Sequence, residues 1–589
     1  MAAENGSEDS IWGRVLICGG TDWLRLGRRD KPGANAKADE EEHPDLPEPH
    51  ILRSLGNVKA KSIHTSCSGC HFVVLDTDGA AYLFGRNNFS SLGLDPSEFE
   101  YISENAPMKL SPTELGASSN TKFIHAACGR NHTLLVGSDG NVWTAGANSL
   151  GQCGQPPSAQ VGGFKKVEGL TVDGQREHVI MASAEFDVVE VFAFGSGEKG
   201  QLGNGTTGER ITTGNKTAFD IVDQPLLIRS LAEKTIVQIA SGQQHSVALD
   251  DEGFVYVWGY NGYCRLGLGN QVDQLRPKVV PQFITEITVP KGEGNEKEKK
   301  EVGTAKFITA GPTNSVVIDK QGMYWLAGKW KNSGDGSSGS PYTTFRYLQD
   351  IMACKVTHAA CGGVTHWVLT PDDSDEKPGA SGTAGVMTVA WGQNASNGEL
   401  GLGVDEPKSA TKPTRHVPLE GIDVIQIAAG QNTTLFLARP PPPESKPGPT
   451  QTNGGANEEE EGDKWSDLPR HPEEVVDTPE LCLVCGRDNG DDDSPLECEK
   501  CDNPYHLGCL NPPLKAIPDG EWFCPKCEKT PGAALRGYTA PSYAKSASGS
   551  GAPDSSAMDE DEEDGTKKGG RGKRKASSEA GKGSKKKKQ

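Results

Sequence analysis

No stretch of the 589 residues approaches the ~20 consecutive apolar residues of a membrane-spanning helix, so no membrane partner is expected. The N-terminus, MAAENGSEDS, lacks both the basic flank and the apolar run of a secretory signal. The cysteines are therefore read as those of a reducing compartment. No Ser/His/Asp triad and no paired-carboxylate set can be located, so no catalytic residue is assigned and the chain is not read as an enzyme. Glycine-rich LGLGN (Leu266–Asn270) and GELGLG (Gly398–Gly403) are not followed by a helix pattern and read as connecting turns, not phosphate loops. The formal net charge of −20 conceals a block arrangement. Acidic runs lie at Asp39–Glu42, Glu458–Glu461 and Asp559–Asp564, whereas the last 23 residues carry eleven Lys/Arg and one Glu.

Seven of the 15 cysteines fall between Cys482 and Cys527, together with His506. They form four pairs, each separated by two residues: Cys482/Cys485, Cys498/Cys501, His506/Cys509 and Cys524/Cys527. That spacing lets a tight turn present both side chains to one ion. Zinc takes four thiolate or imidazole ligands, so eight ligands imply two ions. The segment is too short for an apolar core, and metal binding, worth about 10–16 kcal/mol per structural site, has to fold it. Reactive or disulfide-forming CxxC pairs are the weaker alternative in a chain without an export signal. The other eight cysteines, all before residue 362, read as small buried apolar residues.

The order of four cysteines, one histidine and three cysteines, with Trp522 two residues before Cys524, resembles a PHD finger throughout 482–527. The resemblance implies interleaved sites. Cys482, Cys485, His506 and Cys509 hold the first zinc, and Cys498, Cys501, Cys524 and Cys527 hold the second. Four ligands per ion leave no open position, so both zincs are expected to be structural. The same order and Trp522 disfavour a RING-type ubiquitin ligase.

Members of that family commonly read histone tails by adding the peptide as a strand, which here falls beside Pro495, Leu496 and Glu497. Glu499 and Asp502 occupy positions where the family places acids that hold an arginine near the tail's N-terminus, and Asp491, Asp492 and Asp493 add further negative charge. The turn of Pro518 to Gly520 matches the one that receives the tail's amine, and Trp522 completes the candidate surface. The usual aromatic-cage positions hold Leu481 and Pro504, so cation–π capture of trimethyl-lysine is not expected. Carboxylates instead favour an unmethylated lysine, whose ammonium keeps its hydrogens.

One phrase repeats through residues 11–439. It reads CSGCHFVVLDTDGAAYLFG from Cys67, CGRNHTLLVGSDGNVWTAG from Cys128, SGQQHSVALDDEGFVYVWG from Ser241 and AGPTNSVVIDKQGMYWLAG from Ala310. The closing glycines are Gly85, Gly146, Gly195, Gly259, Gly328 and Gly392. Alternating strands around Asp-Gly or similar turns are hairpin signals. Gly13–Gly27 carries only the second half of the phrase and Ala428–Arg439 only the first, so the chain's two ends share one blade and close a ring. Six internal blades and one shared blade predict an all-β, seven-bladed propeller. The third internal blade departs, because Met181–Gly195 lacks the Gly and His of the first half-phrase.

These repeats resemble those of the regulator of chromosome condensation family. GGTDWLRLGR, CGRNHTL and VWGYNGYCRLG look most like its second, mitotic member. The resemblance implies either nucleosome docking or guanine-nucleotide exchange on a small GTPase. The insertions Asn204–Phe219 and Lys291–Gly303 match no exchange wedge residue by residue, so no catalytic residue is carried over.

His71, His132 and His245 recur at one place in three repeats, where other blades have Asn314, Thr365 and Thr433. That suits a hydrogen-bonding position better than a metal ligand. Cys67 and Cys70 (CSGC) read as packing residues.

The expected domains are a disordered 1–10, the propeller at 11–439, a flexible linker at 440–479, the finger at 480–529 and a disordered tail at 530–589. Trp465 stands alone in the linker and reads as an incidental residue, with a docking anchor as the less favoured alternative. Lys567, Lys568, Arg571, Lys573, Arg574, Lys575, Lys585, Lys586, Lys587 and Lys588 form two basic clusters that read as a bipartite nuclear import signal, with non-specific DNA contact as a second use. The sequence thus reads as a nuclear chromatin adaptor whose partners are a histone tail or nucleosome, with GTPase exchange as the alternative.

Overall fold

Hairpin chemistry dominates the chain, and in three repeats the strand before the turn ends in an acid, Asp76, Asp250 or Asp319, that ties the turn. Asp76 Oδ1 accepts from the Ala80 amide at 2.8 Å, and Asp250 Oδ1 accepts from the Phe254 amide at 2.7 Å. The computed structural model describes residues 11–27, 43–172, 174–179, 191–290, 297–329, 340–371, 386–441, 464–487, 496–518 and 520–543. The Asp491–Asp493 run, Pro495 and the whole basic tail lie outside them.

Six antiparallel blades are complete among the described residues. Seven were expected. At the third internal position only the outer pair, Phe192–Ser196 with Ile221–Leu227, is described, and residues 180–190, where the inner strands were expected, lie outside the described set. The shared blade forms as expected: Arg14–Gly19 pairs with Thr433–Arg439 in continuous register, from Arg14 opposite Ala438 to Gly19 opposite Thr433. The two insertions are hairpins, Arg210–Thr212 with Lys216–Ala218 and Ile284–Pro290 with Lys297–Gly303. LGLGN and GELGLG do make turns, but within a blade, between its third and fourth strands.

The repeated histidine faces the closing glycine across the central hairpin. His71 is opposite Gly85, His132 opposite Gly146 and His245 opposite Gly259. At Gly259 the backbone sits at φ 96°, and a Cβ would lie 2.6 Å from the Gln244 carbonyl oxygen. Only glycine fits there. Two of these histidines, His71 and His245, bond from one blade to the next. His71 Nε2 lies 2.9 Å from Thr133 Oγ1, whose proton goes to the Ser91 carbonyl at 2.7 Å. The imidazole must therefore be the donor. His245 does the same with Ser315, which donates to the Arg265 carbonyl. Burial pushes both imidazoles down to about 3, so they are neutral ties.

The linker and tail depart from expectation. Residues 464–478 follow the propeller, and Arg470–His471 adds a parallel strand beside Leu46–Leu52 of the shared blade. Trp465 is 5% exposed, a docking anchor and not an incidental residue. After the finger, Thr530–Tyr543 also follows the propeller. The Leu535 amide donates to the Asn105 carbonyl, and Tyr543 is buried beside Phe164, whose amide donates to its hydroxyl at 2.9 Å. Propeller, linker and finger fall in one compact unit. Among the described residues no helix is long and apolar enough to cross a membrane.

Candidate metal centre and the face of the finger

Each ligand pair is held by a local turn. The Gly486 amide donates to the Cys482 carbonyl at 2.8 Å, closing the first. The Cys501 and Asp502 amides both donate to the Cys498 carbonyl, closing the second. His506 leads into a 3-10 turn, Leu507–Cys509, and Cys524 caps the short helix Pro525–Lys529 that carries Cys527. These turns gather two sets, Cys482, Cys485, His506 and Cys509, and Cys498, Cys501, Cys524 and Cys527. Within each set the ligand atoms lie within 4.8 Å of one another. The interleaved sets are those implied by the sequence.

The donors suit zinc. An ion about 2.3 Å from each sulfur of a tetrahedron sets sulfur–sulfur edges of about 3.8 Å, and Cys501 Sγ lies 3.8 Å from Cys524 Sγ. His506 Nδ1 is the nitrogen that faces the thiols, 3.3 Å from Cys485 Sγ and 3.9 Å from Cys509 Sγ. Backbone amides point at two of the sulfurs: that of His506 at Cys482 and that of Cys524 at Cys498. Burial raises the Cys482 thiol, but amides of Cys485, His506 and Val484 outweigh it and hold the group at about 6. The apolar interior is small. Apart from cysteines it buries Tyr505 and Leu510, with Trp522 edge-on to Tyr505 at 5.7 Å. Metal ligation, not an apolar core, organises this module.

Leu496–Glu497 pairs with Pro504–Tyr505, and among the described residues no strand pairs with its other edge. Glu497 and Gly520 are exposed, and Pro518 is half-buried. Trp522 is half-buried against Tyr505, so it packs within the finger. Glu499 and Asp502 are engaged by the chain itself. Arg470 forms an ion pair with Glu499, and Arg53 of the shared blade with Asp502.

The structure adds a dock that sequence reading missed. Arg14 pairs with Glu521 at 2.9 Å, and Trp465 Nε1 donates to the same carboxylate. Asn57 donates to the Cys527 carbonyl, and His471 pairs with the buried Glu104 at 2.8 Å. Trp23 donates to Glu104 at 2.6 Å. Among these contacts, Trp465 carries a sequence signal, as a lone aromatic in an otherwise polar stretch.

The propeller's centre holds a cavity of about 600 Å³, lined by the first strands of the blades and by residues between Leu134 and Phe194. His64, His125, His358, Cys67, Cys128 and Cys361 face it. Burial lowers the histidines and raises the thiols, Cys67 to about 12, so no thiolate is favoured there. Among the described residues the only potential metal sets of three or more ligands are the two in the finger.

Two family models match the chain: the RCC1-like domain over residues 14–436 and the PHD-finger over 482–527. Protein RCC2 homolog of Xenopus laevis is 29% identical over 447 residues, covering 72% of this chain and 78% of the relative. Human Protein RCC2 is 27% identical over 445 residues, covering 72% and 76%. Yeast RCC1 (Prp20), solved bound to Kap60, superposes with a TM-score of 0.52 at 17% identity, covering 73% of this chain and 90% of that one. Human WBSCR16 gives 0.51 at 19%, covering 72% and 99%. The similarity to these two structures carries the fold alone.

Proposed function

We propose that this chain, which belongs to the RCC1-like domain family and carries a PHD finger, is a non-enzymatic chromatin adaptor of the nucleus. Two structural zinc ions shape its finger, and the finger receives a histone tail. The propeller is read as seven-bladed, one blade beyond the six complete among the described residues, and it docks a partner or the nucleosome. The basic tail supplies import and salt-sensitive phosphate contacts.

The observation that carries this reading is the edge of Leu496–Glu497, bonded on one side only among the described residues. An extended peptide adding there gains backbone bonds, and exposed Glu497 favours a cationic side chain. Leu481 is exposed and Pro504 buried, and neither is aromatic. This supports a preference for lysine that keeps its ammonium hydrogens. The turn at Pro518 and Gly520 remains accessible for the tail's amine, and Asp491, Asp492 and Asp493 add negative charge ahead of the strand.

The test is titration of the zinc-loaded full chain with a tail peptide bearing unmodified or trimethylated lysine. The unmodified peptide is expected to bind more tightly. Tighter binding of the trimethylated one overturns the preference.

A second reading, exchange on a small GTPase, is supported by a relative 25% identical over 358 residues, the human X-linked retinitis pigmentosa GTPase regulator, of which the match covers 32%. Release of labelled GDP from a GTPase panel separates the two readings, because acceleration by this chain favours exchange.

A further inference from the structure

We propose that Arg470 and Arg53 are built-in occupants of the finger's acidic rim, so that an extended peptide added at Leu496–Glu497 is taken without its arginine being read. The proposal rests on the tail-binding reading above and specifies what that site rejects.

The rim beside the open strand edge is a guanidinium site in the structure itself. The Glu499 carboxylate holds Arg470. Asp502 holds Arg53 on Oδ1, and its Oδ2 accepts the Val475 amide at 3.1 Å. Arg53 places three further donors in the same neighbourhood: Nη1 on the Glu499 carbonyl at 3.2 Å, Nε on the Pro472 carbonyl and Nη2 on the Glu473 carbonyl, both at 2.8 Å. Both carboxylates are thus met by arginines of this chain.

These arginines are anchored from behind. Arg470 sits in the strand paired with the shared blade, opposite Ile51. The next residue, His471, is locked to Glu104 with both side chains under a tenth exposed. Five residues earlier, Trp465 is buried in the propeller. Arg53 is fixed at 8% side-chain exposure. Between the two acids, Lys500 donates to the carbonyl of Ser54, the residue after Arg53, and ties the rim to the propeller at a third point. An arginine arriving on a peptide meets two cations already in place, and like-charge juxtaposition works against it. Arg470 and Glu499 keep 23% and 30% side-chain exposure, so removing Arg470 opens Glu499 to solvent and to a peptide.

The experiment uses the zinc-loaded full chain and two synthetic peptides with a free amino terminus and one unmodified lysine, differing only in arginine or alanine as second residue. Wild type is expected to bind both within about twofold. Arg470→Ala is expected to bind the arginine peptide about three- to fivefold more tightly than the alanine peptide, the upper yield of one partly exposed ion pair. Arg470→Ala combined with Glu499→Gln is expected to return to parity. A wild-type preference of about threefold or more for the arginine peptide overturns the proposal with no variant needed. Parity in Arg470→Ala, with both peptides still bound, overturns it while leaving tail binding intact. Failure of wild type and Arg470→Ala to bind either peptide removes tail binding itself, and the proposal with it.

Discussion

Lys500, between two metal-ligating cysteines, donates its ammonium to the Ser54 carbonyl at 2.8 Å, 446 residues away in sequence. It also donates to Asn57 Oδ1 at 3.1 Å. The ligand loop of the finger and the turn that follows a propeller strand are thereby joined by one side chain that is 2% exposed. The finger is consequently a docked part of the propeller and not a module swinging on a tether.

Lys500→Met removes the donor and leaves the Ser54 carbonyl without it. The dock is expected to lose about 1–3 kcal/mol. Hydrogen exchange across 464–478 and at Ser54–Asn57 should accelerate while metal content stays unchanged. Unchanged exchange would mean the joint rests on other contacts.

Metal removal should unfold the finger and spare the propeller. Two ions per chain are expected by elemental analysis, and one after Cys524→Ser. A strong chelator should abolish the finger's protection from exchange, because burial of Tyr505 and Leu510 alone cannot replace the about 10–16 kcal/mol of a structural zinc site. The blades, with their own cores, should keep theirs.

Acid should weaken the propeller through its buried histidines. His71 and His245 are lowered by burial to about 3, and His64, His132, His358, His366 and His416 to about 4, from an ordinary value of 6.5. A base held neutral in the folded state contributes fully above its unfolded pKa. That contribution is lost as pH falls below 6.5, at about 1.4 kcal/mol per histidine per pH unit, until the folded value is reached. Thermal midpoints should fall steeply between pH 6.5 and 4.5, and His245→Asn, the residue type found at Asn314, should reduce the slope.

Gly259→Ala should destabilise by about 3 kcal/mol or more, through left-handed backbone strain and the approach of its Cβ to the Gln244 carbonyl. Denaturant melts measure it. Gly162→Ala, with nothing within 4 Å of the added carbon, serves as the neutral comparison.

The amino-acid sequence by itself determined the features built from short-range geometry. Two-residue spacing dictated the ligand turns. The repeated phrase dictated the hairpins, and the two half-phrases at 13–27 and 428–439 dictated ring closure, because alternation and turn chemistry act over a few residues. Only the tertiary structure decided what the linker, the tail and the rim acids do. Trp465 stands in a segment whose composition reads as a tether, and Thr530–Tyr543 in one that reads as a tail. Both are held by contacts to the propeller that leave no local pattern. The pairing of Arg53 with Asp502 spans 449 residues. A charged residue near a ligand pair looks the same in sequence whether its counter-ion comes from a partner or from a distant strand of the same chain, because electrostatic pairing depends on distance in space and not on separation along the backbone.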